Sequence, residues 1–168
     1  MFTHADASFT LIVLLMIFVP IILSVIIIVK RRRMRAKIDA QIEGLANNSI
    51  EMTPSEFMEM RSYSFGGRGS KSYALTQNFP GVYILFNRSK NMYYVGQGKQ
   101  VLNRVNSHFT GKGNGDVYAD YKYGDEFTIK MIALDGSGFQ TLNELERNTI
   151  LHYNAFSNGY NKTRGNRG

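Results

Sequence analysis

One run near the start of the chain limits what it can fold into more than any other feature. Phe9 to Val29 reads FTLIVLLMIFVPIILSVIIIV, broken only by Thr10, Pro20 and Ser24 and by no charge. As a helix rising about 1.5 Å per residue, such a stretch spans roughly 30 Å, the hydrocarbon thickness of a bilayer. Core helices of soluble proteins rarely carry so unbroken an apolar run. A secretory leader places its positive charge before a shorter apolar region, and here the order is reversed. Lys30, Arg31, Arg32, Arg33, Arg35 and Lys37 follow the run, +6 within eight residues. The basic flank marks the end retained in the cytoplasm. The expectation is an uncleaved single-pass anchor in the inner (cytoplasmic) membrane, with the N-terminus outside. Pro20 is tolerated there, because membrane helices accept kinks.

The organisation expected from this is a short extracytoplasmic segment at 1–8 and a transmembrane helix at 9–29. A basic juxtamembrane segment with a flexible linker follows at 30–77, and a cytoplasmic domain at 78–168. The basic cluster reads first as a topology signal and a contact for lipid headgroups. The remaining charge is uneven: −1 before Lys30, −2 over 38–77 and +4 over 78–168, within a net +7. The C-terminal part is therefore basic without the anchor cluster, as a protein meeting an anionic partner would be. With no cysteine in the chain, disulfide frameworks and thiolate metal sites are excluded. Three histidines without an HExxH pattern argue against a zinc site of any kind.

Over 38–77 no strong apolar period appears. Ile38, Ile42 and Leu45 are spaced to carry the membrane helix on for a few turns. Thr53-Pro54-Ser55-Glu56 has the capping-box form with proline at the first helical position, and it predicts a short helix to about Met60. Phe65 to Ser70 is glycine-rich and flexible by composition. Gly66 to Ser72 is no phosphate loop, since serine precedes Lys71 and no strand comes before it. A coil of this length would tether the following domain with a reach of roughly 35 Å.

From Phe79 the character changes. Gly81 to Phe86 and Met92 to Gly96 are β-rich runs around the polar turn Asn87 to Asn91, a hairpin. Gln100 to Phe109 has helical spacing, with Val101, Leu102 and Val105 on one side. Gly111 to Asp125, with its glycines and tyrosines, reads as a loop. Phe127 to Leu134 reads as a third strand and Leu142 to Tyr153 as a second helix. The expected fold class is α+β, a ββαβα order with a three-stranded, mostly antiparallel sheet flanked by helices.

The triplets Gly81-Val82-Tyr83 and Tyr94-Val95-Gly96, with Tyr94 eleven residues after Tyr83, resemble the signature of the GIY-YIG nuclease family. Valine stands at the middle of each triplet where the family has isoleucine. The resemblance continues through Arg104 and His108 on the first helix, Glu146 on the second and Asn161 in Gly-Tyr-Asn. It covers about half the chain. Glu144 and Glu146 both qualify by type, but residues two apart on a helix point about 200° apart. Glu146 borders the Leu142–Leu145 side and stands fifteen residues before Asn161, and it is the one selected.

The resemblance implies a membrane-tethered endonuclease that hydrolyses DNA phosphodiester bonds with a divalent metal, Mg2+ or Mn2+, held by Glu146. Tyr83 would act as general base or position the attacking water, and Tyr94 would bond the phosphate or nucleophile. Arg104 would clamp the phosphate, His108 would bind phosphate or shuttle a proton, and Asn161 would tie down the tail or position substrate. Arg88, Lys99, Lys112, Lys162 and Arg164 are the candidate nucleic-acid contacts. Tyr118, Tyr121, Lys122 and Tyr123 mix aromatic and charged character and are further candidates for contact with DNA. Partners are DNA and membrane lipid, with a membrane-protein partner and the oligomeric state left open. No small-molecule cofactor is expected. The layout is similar to that of anti-phage nucleases that meet DNA entering through the membrane. The alternatives are an inactive DNA-binding membrane adaptor and a repair- or homing-type nuclease.

Overall fold

In the computed structural model, residues 4–64 and 71–165 are described, with side chains from residue 13 onward. The chain divides into two compact units, Met1–Ala40 and Gln41–Gly168. The glycine-rich stretch 65–70, expected to be flexible, and the last three residues lie outside the described ones.

The first unit is helical, part of α1 (His4–Asn48), with Pro20 inside it. From Val13 to Val29 its large apolar side chains are exposed. It is one helix long and apolar enough to cross a membrane by length and composition. An apolar surface of this size would be strongly unfavourable in water.

The second unit is built on a fully antiparallel three-stranded sheet in the order β2-β1-β3. Its strands are β1 (Gly81–Asn87), β2 (Met92–Gly98) and β3 (Phe127–Ala133). Strand β1 is central and almost wholly buried, which is why its run shows no polar alternation. The two-residue period of a strand divides the interior between two faces. Tyr83 and Leu85 join Val101, Leu102, Val105, Phe109, Ile129 and Phe57 on one face. Val82 and Ile84 join Val95, Ile132, Leu145, Ile150 and Ala46 on the other. Helix α4 (Val101–Phe109) thus covers the first face, and α6 (Leu142–His152) the second.

Two expectations are corrected. The segment Gly111 to Asp125 is not a loop throughout, because Gly115–Lys122 forms a helix, α5. Asn114 caps it, its Oδ1 accepting from the Asp116 and Val117 amides at 2.9 and 3.1 Å. Val117 is fully buried, and Tyr121 meets Phe109 edge-on at 4.9 Å between ring centroids. A side-chain cap and two anchoring side chains outweigh the glycine content that suggested a loop.

Nor do the described residues of 41–77 behave as a coil tether. The last turns of α1 bury Ile42 and Ala46. Met52 exchanges backbone hydrogen bonds with Ile129 at 3.1 and 2.8 Å, adding one bridge to the β3 edge. Helix α2 (Pro54–Ser62) has the expected capping box between Thr53 and Glu56, and it sinks Phe57 completely into the core. Helix α3 (Tyr73–Thr76) buries Ala74 beside it. The apolar residues here are too few to show a period, yet Ile42, Ala46, Phe57 and Ala74 are all buried.

Candidate active site

Antiparallel pairing places Tyr83 opposite Gly96 and Leu85 opposite Tyr94. Opposite residues share a face, so Tyr83 and Tyr94 are diagonal neighbours on the side covered by α4. Their ring centroids lie 6.2 Å apart. His108 completes a triangle of rings, 5.4 Å from Tyr83 and 4.7 Å from Tyr94.

Within this triangle the hydrogen bonding is directional. The His108 Nδ1 accepts from the Asn114 amide at 2.9 Å. The proton of the neutral ring therefore sits on Nε2, 2.8 Å from the Tyr83 hydroxyl, and is donated to that oxygen. Burial, with Arg104 adding to it, pushes His108 down to about 4, so the imidazole is neutral at physiological pH. Burial also raises the Tyr83 phenol well above its ordinary range, Tyr94 adding to this and Arg104 partly offsetting it. Tyr94 is raised for the same first reason.

Glycines make this packing feasible. A Cβ on Gly96 would lie 2.3 Å from the Tyr83 hydroxyl oxygen. One on Gly98 would lie 2.7 Å from the Arg104 Cγ, and one on Gly113 would lie 2.7 Å from the His108 Nδ1. Each candidate side chain passes over bare backbone at the point where a side chain would displace it.

Arg104 is exposed, one turn before His108 on α4. Glu146 comes from α6, on the opposite face of the sheet. Both border one cleft because β2 is an edge strand; the cleft, of about 400 Å³, is lined by Tyr83, Tyr94, Gly96, Gln97, Lys99, Arg104 and Glu146. Tyr83 forms the floor of that cleft, with no exposed surface of its own. An adjoining depression shares Tyr94 and Glu146 and adds Asn114, Asn161 and Lys162.

The remaining candidates fall into two groups. Asn161 caps the outer edge of β2, donating from Nδ2 to the Val95 carbonyl at 2.7 Å and accepting the Val95 amide on Oδ1 at 2.9 Å. Both ends of its amide are engaged with backbone, so it anchors the tail beside the cleft. His108 is buried at 1% exposure and cannot meet a phosphate directly, which corrects the phosphate-binding expectation. Lys99 lines the cleft. Lys162 borders the depression, paired with Asp116 at 2.6 Å. Arg164 lies over the Phe156 ring, 5.3 Å from its centroid, and Lys112 is exposed between α4 and α5. The structure does not bring Arg88 to the cleft; it pairs with Glu51 at 2.9 Å and lines a separate acidic cavity.

Sequence reasoning missed Gln97 and Asn143. The Gln97 Nε2 donates to the Asn143 Oδ1 at 2.6 Å and to the Glu146 Oε2 at 2.9 Å. Their only sequence signal is that Asn143 and Glu146 are one helical turn apart. Among the described residues no three His, Cys, Asp or Glu side chains are grouped to cage a metal. A single carboxylate opening on a cleft beside an arginine instead suits a hard divalent cation that keeps several waters and takes the rest of its shell from phosphate.

The family model described as the GIY-YIG catalytic domain matches residues 79–161. No curated protein and no solved structure gives a match.

Proposed function

Because residues 79–161 belong to the GIY-YIG catalytic domain family, a nuclease family whose substrate is DNA, we propose that this chain is a membrane-tethered, divalent-metal-dependent DNA endonuclease. The observation that carries this reading is that Arg104 and Glu146 line one cleft at β2 together with Tyr83 and Tyr94 of the neutral Tyr83–Tyr94–His108 triangle.

Arg104 is exposed and flexible enough to reach a phosphate, and its planar fork suits two phosphate oxygens at once. Glu146 would hold the divalent cation, magnesium or manganese. When bound, that ion supplies positive charge to the growing negative charge on the phosphate and the departing oxygen. Tyr83 is a neutral hydroxyl whose oxygen already accepts the His108 proton. Its hydroxyl also bonds Tyr94 and has no exposed surface in this structure. It would therefore position the attacking water, the second of the two roles expected of it, from the floor of the cleft and once substrate binding opens that floor to water. For it to act as base, its proton must leave against the burial that raises it. His108 acts through Tyr83, fixing the direction of that hydroxyl. Lys99 and Lys162 flank the path of a phosphodiester chain across the cleft, and the second must exchange Asp116 for phosphate.

The apolar helix and the +6 cluster after it support an inner-membrane anchor, N-terminus out, with the nuclease facing the cytoplasm. Residues 1–8, 9–29 and 78–168 keep the proposed roles and 30–40 that of a basic juxtamembrane segment, while the linker role of 41–77 gives way to membership of the folded unit. DNA entering through the membrane, as phage DNA does, is the substrate this arrangement favours.

Full-length protein in detergent, incubated with supercoiled plasmid and Mg2+, Mn2+ or chelator, tests the reading. Metal-dependent nicking that disappears in Glu146→Ala and falls strongly in Tyr83→Phe is the expected result. DNA retention without cleavage under either metal would overturn it in favour of the adaptor.

A further inference from the structure

We propose that Gln97 is a positioning residue that holds the Glu146 carboxylate at the lip of the cleft, and that Asn143 sets the direction of the Gln97 amide. The inference rests on the metal-dependent reading above and deepens it.

The alternation of β2 sends Tyr94 and Gly96 toward α4 and Val95 and Gln97 toward α6. Val95 packs with Leu145 of α6 in the buried cluster on that face. Gln97 is thereby fixed beside the first two turns of α6, where Asn143 and Glu146 lie on one side. A primary amide has two N–H donors on one nitrogen. In this structure each has its own acceptor, Asn143 Oδ1 at 2.6 Å and Glu146 Oε2 at 2.9 Å. Asn143 thus does more than share the contact. By accepting one N–H, it places the nitrogen, rather than the carbonyl oxygen, of Gln97 on the side of Glu146. Reversed, the Gln97 carbonyl would face a carboxylate oxygen and repel it.

Glu146 is an obvious candidate for such support. Its side chain has three rotatable torsions and must reach from one face of the sheet around an edge strand to a site on the other. A carboxylate held by a hydrogen bond on one oxygen keeps its second oxygen aimed in a fixed direction. Supporting groups of this kind typically change metal affinity about 10–100-fold when removed.

The test uses the full chain in detergent and Tb3+ as the probe ion. The chain has no tryptophan, so tyrosine is the donor for sensitised Tb3+ emission, and Tyr94 lines the same cleft as Glu146. Gln97→Met keeps the length of the side chain and removes both donors. It is expected to raise the Tb3+ concentration at half-maximal emission about tenfold, with an unchanged melting temperature and unchanged DNA binding in chelator. Asn143→Ala should shift it in the same direction by less, and the double variant should be no worse than Gln97→Met alone, since Asn143 acts through Gln97. In plasmid nicking, the half-saturating Mg2+ should rise while the plateau recovers at high Mg2+. A Gln97→Met titration within twofold of the parent overturns the proposal, whether or not melting changes. Emission that does not depend on Glu146, judged by Glu146→Gln, overturns the metal reading itself and the proposal with it.

Discussion

Gly96→Ala is the sharpest single perturbation of this site. The added methyl would sit 2.3 Å from the Tyr83 hydroxyl oxygen, 2.5 Å from Cζ and 3.0 Å from Cε2. Ordinary carbon contacts begin near ~3.5 Å, so the phenol has to move by about 1 Å. It has no room to do so, because Tyr83 is completely buried on the central strand. Overpacking of this kind costs about 1–3 kcal/mol. Moving the hydroxyl also breaks its 2.8 Å bond with His108 and leaves a buried imidazole N–H unpaired, about 1–3 kcal/mol more. Together they make roughly 2–6 kcal/mol, enough to lower the melting temperature of a domain this size by about 10 °C or more. A displacement of about 1 Å at the reacting centre is expected to lower cleavage about 100-fold. The assays are thermal melting by circular dichroism and plasmid nicking on the same preparation. A variant melting within about 2 °C of the parent and cleaving at a similar rate would refute the claim that Gly96 makes room for Tyr83.

Glu146→Gln should abolish metal-dependent nicking while leaving thermal melting nearly unchanged, because the side chain is only half-buried at the lip of the cleft. The His108 value held down near 4 gives stability that is fully present above the ordinary value near 6.5. It is lost as pH falls from there toward 4, because the unfolded chain takes up the proton first, at most about 3 kcal/mol in all. Denaturant melts of the parent against His108→Gln over that interval should show a steeper pH dependence in the parent. Phe57→Ala should cost about 3–5 kcal/mol, since Phe57 is wholly buried in the core beside the sheet. For the same reason a fragment starting at Asn78 should be far less stable to denaturant than one starting at Gln41. Arg104→Lys should recover only part of the cleavage lost in Arg104→Ala, since a point charge replaces a two-pronged contact.

The order of elements was legible because each carried a local signature. The apolar run Phe9 to Val29 needs no partner to declare itself, and the hairpin follows from two β-rich runs around Asn87 to Asn91. Tyr83, Tyr94, Arg104 and Glu146 were found through motif spacing, which records positions along the chain and nothing of depth. Depth came only from packing. Whether His108 is a solvated base or a buried donor depends on what covers α4, and that cover is supplied in part by Asn114 and Gly113. Helix α5 was hidden because glycines flank it, while its cap at Asn114 and its anchor at Val117 take effect only when the core is present. Residues 41–77 looked like a tether because single residues such as Phe57 and Met52 show no period, yet each fits a place made by distant strands.

What the sequence determined alone is therefore the set of local choices: an apolar helix with a basic flank, a hairpin, two helices and the chemical types at the site. The tertiary structure decided the edge position of β2, and with it the cleft that Glu146 from one face shares with Arg104 from the other. It also decided the pairing of Gln97 with Glu146. Local signatures arise from neighbours in the chain, whereas burial, sheet order and hydrogen bonds across an edge depend on residues that only folding brings together.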